Sequence, residues 1–251
     1  GYQEVNLNLG CPSKTVVTKG CGAGFLDHPE ELELFLDRIF SGTDIRISVK
    51  TRLGMEDVDG FFHLMEIYNR FPIEELIIHP RIQKDFYKYT PRMECYRTAY
   101  ETSRHSLCYN GDIFSPADYQ KLRIDFPGTE KVMLGRGVLQ NPWLIGMLRG
   151  ASPENIENYA NAKDSVVAHN FSSASVSAAS FADKELLHAF CADLCDGYAR
   201  VISGDKNVLF KLKALWIYLG TSFTNPQKYL KKIKKANRLA EYEEAVDALF
   251  R

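Results

Sequence analysis

VNLNLGCPSKTVVTKGCGAGFL, residues 5–26, decides how the rest of the chain is read. Val5 to Leu9 alternate apolar and polar side chains, the period-2 pattern of a strand. Gly10-Cys11-Pro12 stops that strand, because Pro12 has no N–H for a ladder and restricts the residue before it. Cys11 is thereby presented on a loop at a strand mouth. Gly20, Gly22 and Gly24 follow, in a turn that lets backbone approach a ligand closely. Asp27 or His28 then caps a helix, with Pro29 at its first position and Glu30 and Glu31 in its first turn. A thiol between a strand and a helix is a common place for chemistry in α/β folds. A buried, inert cysteine is the plainer reading.

Outward from this stretch, strand and helix signals alternate. A helix over about 28–41 places Leu32, Phe35, Leu36, Ile39 and Phe40 at helical spacing, and Ile45–Lys50 is the next strand. A helix near 57–71 carries Val58, Phe61, Phe62, Met65 and Tyr68 on one face, followed by a strand over Glu75–His79. Residues 91–103 read as helix, Leu107–Tyr109 as a short strand, and Ser115-Pro116 as a helix cap and first position. Val132–Leu134 is a fifth strand. Strands separated by helices predict parallel βαβ units, here part of an α/β (β/α)8 TIM-type barrel. An open doubly wound sheet is the alternative. The lone residues at strand ends each have a bland reading too: Lys50 as a snorkelling lysine, His79 as a structural histidine, Asn110-Gly111-Asp112 as an ordinary turn.

Composition sets the bounds. The chain has 251 residues, 45% hydrophobic and 25% charged, with a net charge of −1, so any nucleic-acid surface must be local. Its six cysteines form no CxxC and no zinc-type pairs, which reads as reduced thiols in a cytoplasmic protein with no metal site. No apolar run approaches membrane-span length. Residues 151–182 are Ser- and Ala-rich with little periodicity and read as a linker or insertion, with His169 a solvated histidine. From Asp183 the pattern is helical, with stripes Leu186–Leu187–Phe190–Leu194 and Val208–Leu212–Leu215–Trp216–Leu219, a helix opened by Pro226, and a last one over 241–249. Between Lys206 and Arg238 nine Lys or Arg residues occur without one Asp or Glu, beside Trp216, Tyr218 and Tyr229. Such a patch suits a phosphate backbone; a solvated helix face is the plainer reading.

The motifs resemble, in order, those of the tRNA-dihydrouridine synthases: N-L-N-L-G-C-P-S and G-C-G-A-G-F-L, then V-K-T-R-L-G, I-I-H-P-R, Y-N-G-D-I and M-L-G-R-G. The resemblance is strong over about residues 1–150 and looser after 183. It implies a flavin enzyme that reduces uridine to 5,6-dihydrouridine in tRNA. FMN is the cofactor, NADPH the reductant and tRNA the partner, in a soluble monomer. Cys11 would be the proton donor and Asn8 a contact to the base. Lys50, His79, Asn110, Gly111, Asp112, Gly135 and Arg136 would hold FMN, Arg81 would lie near the substrate, and Cys21 would be structural. Residues 1–150 would form the catalytic barrel domain and 183–251 a helical tRNA-binding domain. Gly1 leads into a core-type strand within a few residues, so the first strand–helix units of such a barrel would precede this sequence. Two other readings stand beside this one: an RNA-binding remnant, and an FMN barrel oxidoreductase acting on a small molecule.

Overall fold

Five strands form one parallel sheet in the computed structural model, which describes residues 1–150 and 181–251. The chain divides into two compact units. The first comprises Gly1–Asp112 with Lys121–Leu134, the second Ile113–Gln120 with Gly135–Arg251.

The elements up to Gly150 run β1 (Glu4–Leu9), α1 (Lys14–Val17), a 3-10 turn (Gly22–Asp27), α2 (Pro29–Gly42), β2 (Arg46–Arg52), α3 (Phe61–Tyr68), β3 (Glu75–His79), a second 3-10 turn (Gln83–Asp85), α4 (Met93–Thr102), β4 (Ser106–Tyr109), α5 (Pro116–Asp125), β5 (Lys131–Val132), α6 (Arg136–Gln140) and α7 (Leu144–Gly150). The strand order is β1-β2-β3-β4-β5, each strand pairing in parallel with the next. A doubly wound sheet reverses direction at a switch point. Strict succession across every described strand is the (β/α)8 arrangement, so the sheet is a run of consecutive barrel strands.

The register sorts side chains onto two faces, because neighbours in register point the same way. Val49, Leu76 and Leu107 share one face with Thr51, Ile78 and Tyr109, and all six are buried. This face packs on the helices: the Tyr68 hydroxyl of α3 meets Thr51 Oγ1 at 3.0 Å, and Tyr96 of α4 packs edge-on against Tyr109. The other face carries Asn6, Asn8, Ser48, Lys50, Arg52, His79 and Cys108. It is polar by sequence, and it is the face on which a site can be built.

Local signals explain most boundaries. Pro29 opens α2 with Glu30 and Glu31 in the first turn, as expected, while His28 at the cap makes no side-chain bond. Ser115 and Asp118 cap α5 reciprocally: Asp118 N–H donates to Ser115 Oγ, and Ser115 N–H to Asp118 Oδ2. The helix expected over 57–71 is shorter, because Gly60 starts it and Phe61, Leu64, Met65 and Tyr68 form its true i, i+3, i+4, i+7 stripe. Phe62 therefore faces solvent rather than the core.

In the second unit α8 (Phe181–Val201), α9 (Asp205–Leu219), α10 (Gln227–Lys235) and α11 (Leu239–Phe250) surround their own core. The α9 stripe is the expected one, with Val208, Leu212, Trp216 and Leu219 buried. The α8 stripe is rotated by one residue: Leu187, Cys191 and Cys195 are buried, while Leu186 and Phe190 face solvent. Two small thiols at i and i+4 allow close helix packing where a Phe would not fit. Trp216 Nε1 donates to the Tyr242 hydroxyl at 2.9 Å and ties α9 to α11. Residues 151–180 of the expected linker, His169 among them, lie outside the described residues.

Candidate active site

Asn8 and Lys50 sit side by side in the sheet register, followed by Ile77 and Cys108 in the same row. Lys50 is half-buried, and burial, aided by the nearby Arg52 charge, pulls its amine down to about 8. The Cys108 and Cys11 thiols lie close enough to act on that charge in the opposite sense. Burial pushes the Cys108 thiol up to about 12, so it is an inert floor to the site rather than a nucleophile. All six cysteines are free; Cys21, expected to be structural, is exposed on its turn.

Cys11 stands two residues beyond the end of β1, on a loop fixed at three successive carbonyls. The Gly10 oxygen accepts Arg52 Nε at 3.0 Å, the Cys11 oxygen accepts the Ala23 N–H at 3.0 Å, and the Pro12 oxygen accepts Gln83 Nε2 at 2.8 Å. Asn8 Oδ1 also takes the Gly10 N–H at 3.1 Å, which forms the turn out of the strand. The glycine-rich stretch is needed for contact with this loop. Gly22 has φ +57°, and a Cβ there would lie 2.8 Å from the Cys11 oxygen and 2.9 Å from its Cβ.

Arg52 and Arg81 are both 1% exposed. Besides Gly10, Arg52 donates to the Ile82 and Phe86 carbonyls at 2.9 and 3.2 Å, with the Tyr87 ring 5.7 Å from its guanidinium. Burial lowers its pKa, which remains far above neutrality for an arginine. Arg81 makes a bidentate pair with Asp112, donates to the Tyr89 carbonyl and to His79 Nε2, and so closes the 81–89 segment onto the end of β4. A guanidinium can only donate, so His79 Nε2 accepts and the imidazole carries its proton on Nδ1. Asp85, nearly buried, pairs with Arg92 and accepts the Ile82 N–H; these hydrogen bonds outweigh burial and lower its pKa.

The expected residues Asn8, Cys11, Lys50, His79, Arg81, Asn110, Gly111 and Asp112 thus gather at the C-terminal ends of β1–β4. Their duties are partly internal: Arg81 and Asp112 hold each other, and Asn110 Nδ2 donates to the Met133 carbonyl at 2.8 Å. Gly135 and Arg136 belong to the second unit, at the start of α6, where the Arg136 guanidinium lies 5.4 Å from the Phe114 ring. Sequence reasoning missed Arg52, Gln83 and the Asp85–Arg92 pair. Arg52 was findable, since it lies two residues beyond Lys50 and shares its face.

On the second unit, Lys228, Lys231, Lys232, Lys234 and Lys235 of α10 are all exposed; Lys228, Lys231 and Lys235 lie opposite buried Ile233, and Lys232 and Lys234 flank it. Trp216, expected beside this patch, is a core residue and unavailable to a surface ligand. Among the described residues no group of His, Cys, Asp or Glu could hold a metal ion, and no helix is long and apolar enough to cross a membrane.

The family model "Dihydrouridine synthase (Dus)" matches residues 1–190. The chain is 28% identical over 146 residues to tRNA-dihydrouridine synthase B of Proteus vulgaris, covering 58% of this chain and 45% of that protein. It is 29% identical over 153 residues to tRNA-dihydrouridine(16) synthase of Pseudomonas syringae pv. tomato, covering 60% and 48%. A probable tRNA-dihydrouridine synthase 1 of Synechocystis is 30% identical over 149 residues, covering 58% and 41%. The chain spans about half the length of the curated relatives it matches. With a family model covering most of its residues and the matching motifs at consecutive strand ends, the chain belongs to the dihydrouridine synthase family.

Proposed function

We propose that this chain carries the chemistry of uridine reduction to 5,6-dihydrouridine in tRNA, with FMN as cofactor and NADPH as reductant. The observation that supports it best is the fixed Cys11 loop beside the Asn8–Lys50 row.

The donor set fits a flavin. Lys50 offers a half-buried amine whose charged form an anionic ring or phosphate would favour. The nearby carboxylates of Asp85 and Asp112 are each covered by an arginine, so they do not oppose an anion. Asn8, Lys50, His79, Asn110, Gly111 and Asp112 would frame the cofactor in the first unit. When bound and reduced, FMN supplies the hydride that adds to C6 of the uracil.

The residues of the chain do the rest. Asn8 orients the base by hydrogen bonds to its polar edge. Lys50 offsets negative charge beside it, and Arg81 steadies the substrate-side segment. Cys11 donates its proton to C5 as general acid. The target uridine must leave its stack to reach this face. The lysines of α10 would track the RNA backbone and give salt-dependent binding without sequence preference.

Two measurements test the reading. The purified chain, mixed with FMN and desalted, retains a flavin absorption band; a folded chain that retains none refutes cofactor binding by these residues. Cys11→Ala keeps the band and lowers dihydrouridine formation by about 10²–10⁴-fold. Unchanged turnover removes Cys11 from the mechanism.

A further inference from the structure

Three elements converge on the loop that carries Cys11: Arg52 at the end of β2, Ala23 of the first 3-10 turn and Gln83 of the second. Gln83 Nε2 reaches the Pro12 carbonyl at 2.8 Å across 71 residues of sequence. Gln83 is itself fixed: its N–H donates to the Gly54 carbonyl at 2.9 Å, it opens the second 3-10 turn, and it is 8% exposed. Arg52 holds the Gly10 carbonyl with one nitrogen and the carbonyls of Ile82 and Phe86 with the other two. The loop on both sides of the thiol, at Gly10 and at Pro12, is thus fastened to the 82–86 segment through Arg52 and Gln83. Phe86 has φ +49°, a conformation that a bulky side chain rarely holds without outside support. Its support here is the Arg52 bond to its carbonyl and its own N–H bond to the Gln83 carbonyl at 3.1 Å.

We propose that Gln83 is a positioning residue for Cys11: its side-chain amide holds the Pro12 carbonyl and so fixes where the thiol points. The 82–86 segment thereby sets the geometry of proton delivery. This deepens the reading of Cys11 as the general acid and rests on it for its catalytic meaning. The clamp itself does not depend on that reading, since a thiol on a restrained loop reacts differently from one on a loose loop whatever it is used for.

The chemistry of the clamp makes a donor essential. Gln83 must give an N–H to a carbonyl. Gln83→Glu keeps the length and shape but offers an acceptor to an acceptor, and Gln83→Ala removes the side chain. Both variants should free the loop alike.

The test is alkylation of Cys11 by iodoacetamide in the full chain, followed peptide by peptide by mass spectrometry. Lys14 and Lys19 place Cys11 and Cys21 on different tryptic peptides, so Cys21 serves as an internal control. In both Gln83 variants Cys11 alkylation should rise by about fivefold, the population change expected from one hydrogen bond, with Cys21 unchanged. Dihydrouridine formation should fall by a similar factor in kcat, with flavin retention intact. An unchanged Cys11 rate in both variants overturns the proposal. So does an effect in Gln83→Ala that Gln83→Glu lacks, since bulk rather than the hydrogen bond would then be responsible. If Gln83→Ala does not fold, the isosteric Gln83→Glu decides alone: faster alkylation supports the clamp and an unchanged rate overturns it. Absence of any dihydrouridine formation in the parent chain would count against the proposed function while leaving the alkylation result to judge the clamp.

Discussion

In the first unit Arg52, Arg81, Asp85, His79 and Gln83 are buried at the strand ends, whereas in the second unit the side chains buried to the same degree are apolar ones such as Leu212, Val208, Leu209 and Ile233. Every buried polar or charged residue among the described ones lies between Ser48 and Thr129, inside the first unit. The second unit keeps its charge outside, on the exposed lysines of α10, and encloses one polar pair, Trp216 with Tyr242. Burying charge is unfavourable unless each group is paired, and hydrophobic replacement is often neutral or stabilising. The helical unit is organised for stability around an apolar core. The sheet unit accepts buried ions, and what it gains is a set of loops held in fixed positions around Cys11 and Lys50.

The contrast is broken most sharply at Arg81. Arg81→Met leaves Asp112 without its bidentate partner and removes the donor on His79 Nε2. Loss of a buried guanidinium that makes four hydrogen bonds, two of them to a half-buried carboxylate, should destabilise the chain by about 3–5 kcal/mol, read by urea unfolding. Arg81→Met with Asp112→Leu should recover part of that loss, because the carboxylate that lost its guanidinium is gone. A single variant as stable as the parent would mean that the ion pair is not what holds the 81–89 segment.

A matched truncation in the other unit should behave differently. Leu212→Ala opens a cavity in the helical core and should cost about 2–4 kcal/mol. Its distinguishing feature is what it spares: Cys11 alkylation should stay at the parent rate, since the loop's holds on Asn8, Arg52, Ala23 and Gln83 all lie in the first unit. Altered Cys11 reactivity in Leu212→Ala would show that the two cores are not independent.

The two units also differed in how far they could be read from sequence. The strand order follows from the alternation of strand and helix signals: Val5–Leu9 announces itself by its period and Glu75–His79 by a short apolar run, each ended by Gly or Pro. The α9 stripe was legible because Val208, Leu212, Trp216 and Leu219 are large and apolar. The α8 face was not, since Cys191 and Cys195 compete with the more hydrophobic Leu186 and Phe190, and only packing volume decides between them. At the candidate site, Cys11, Lys50 and His79 are visible as polar residues at strand ends. Gln83 and Asp85 are not, because their partners Pro12 and Arg92 are set by loop conformation, and a side chain reaching a backbone carbonyl leaves no mark in sequence pattern.

The smallest of the expected effects tests the contrast at one charge. Lys50 titrates at about 8 in the folded chain against 10.5 for a solvated lysine, chiefly because it is buried. Below pH 8 both folded and unfolded chains hold the proton, so folding must bury an ammonium and its full penalty applies. Between pH 8 and 10.5 the unfolded chain binds more protons than the folded one, and stability attributable to Lys50 rises with pH. Above 10.5 both forms are neutral and the penalty is gone. Lys50→Met removes the ammonium while keeping the stem, so at pH 7 the variant should be more stable than the parent by about 1–2 kcal/mol, a figure reduced for the amine's partial contact with solvent. The two unfolding curves should converge as pH is raised from 8 to 10.5, because the tyrosines and thiols that also titrate there are common to both proteins. A flavin-binding role makes the opposite demand, since Lys50→Met should weaken FMN retention while it strengthens the fold. If the variant gains nothing at pH 7, the amine is as well solvated as the lysines of α10, and the polar face of the sheet does not differ from the helical surface in the way its burial implies.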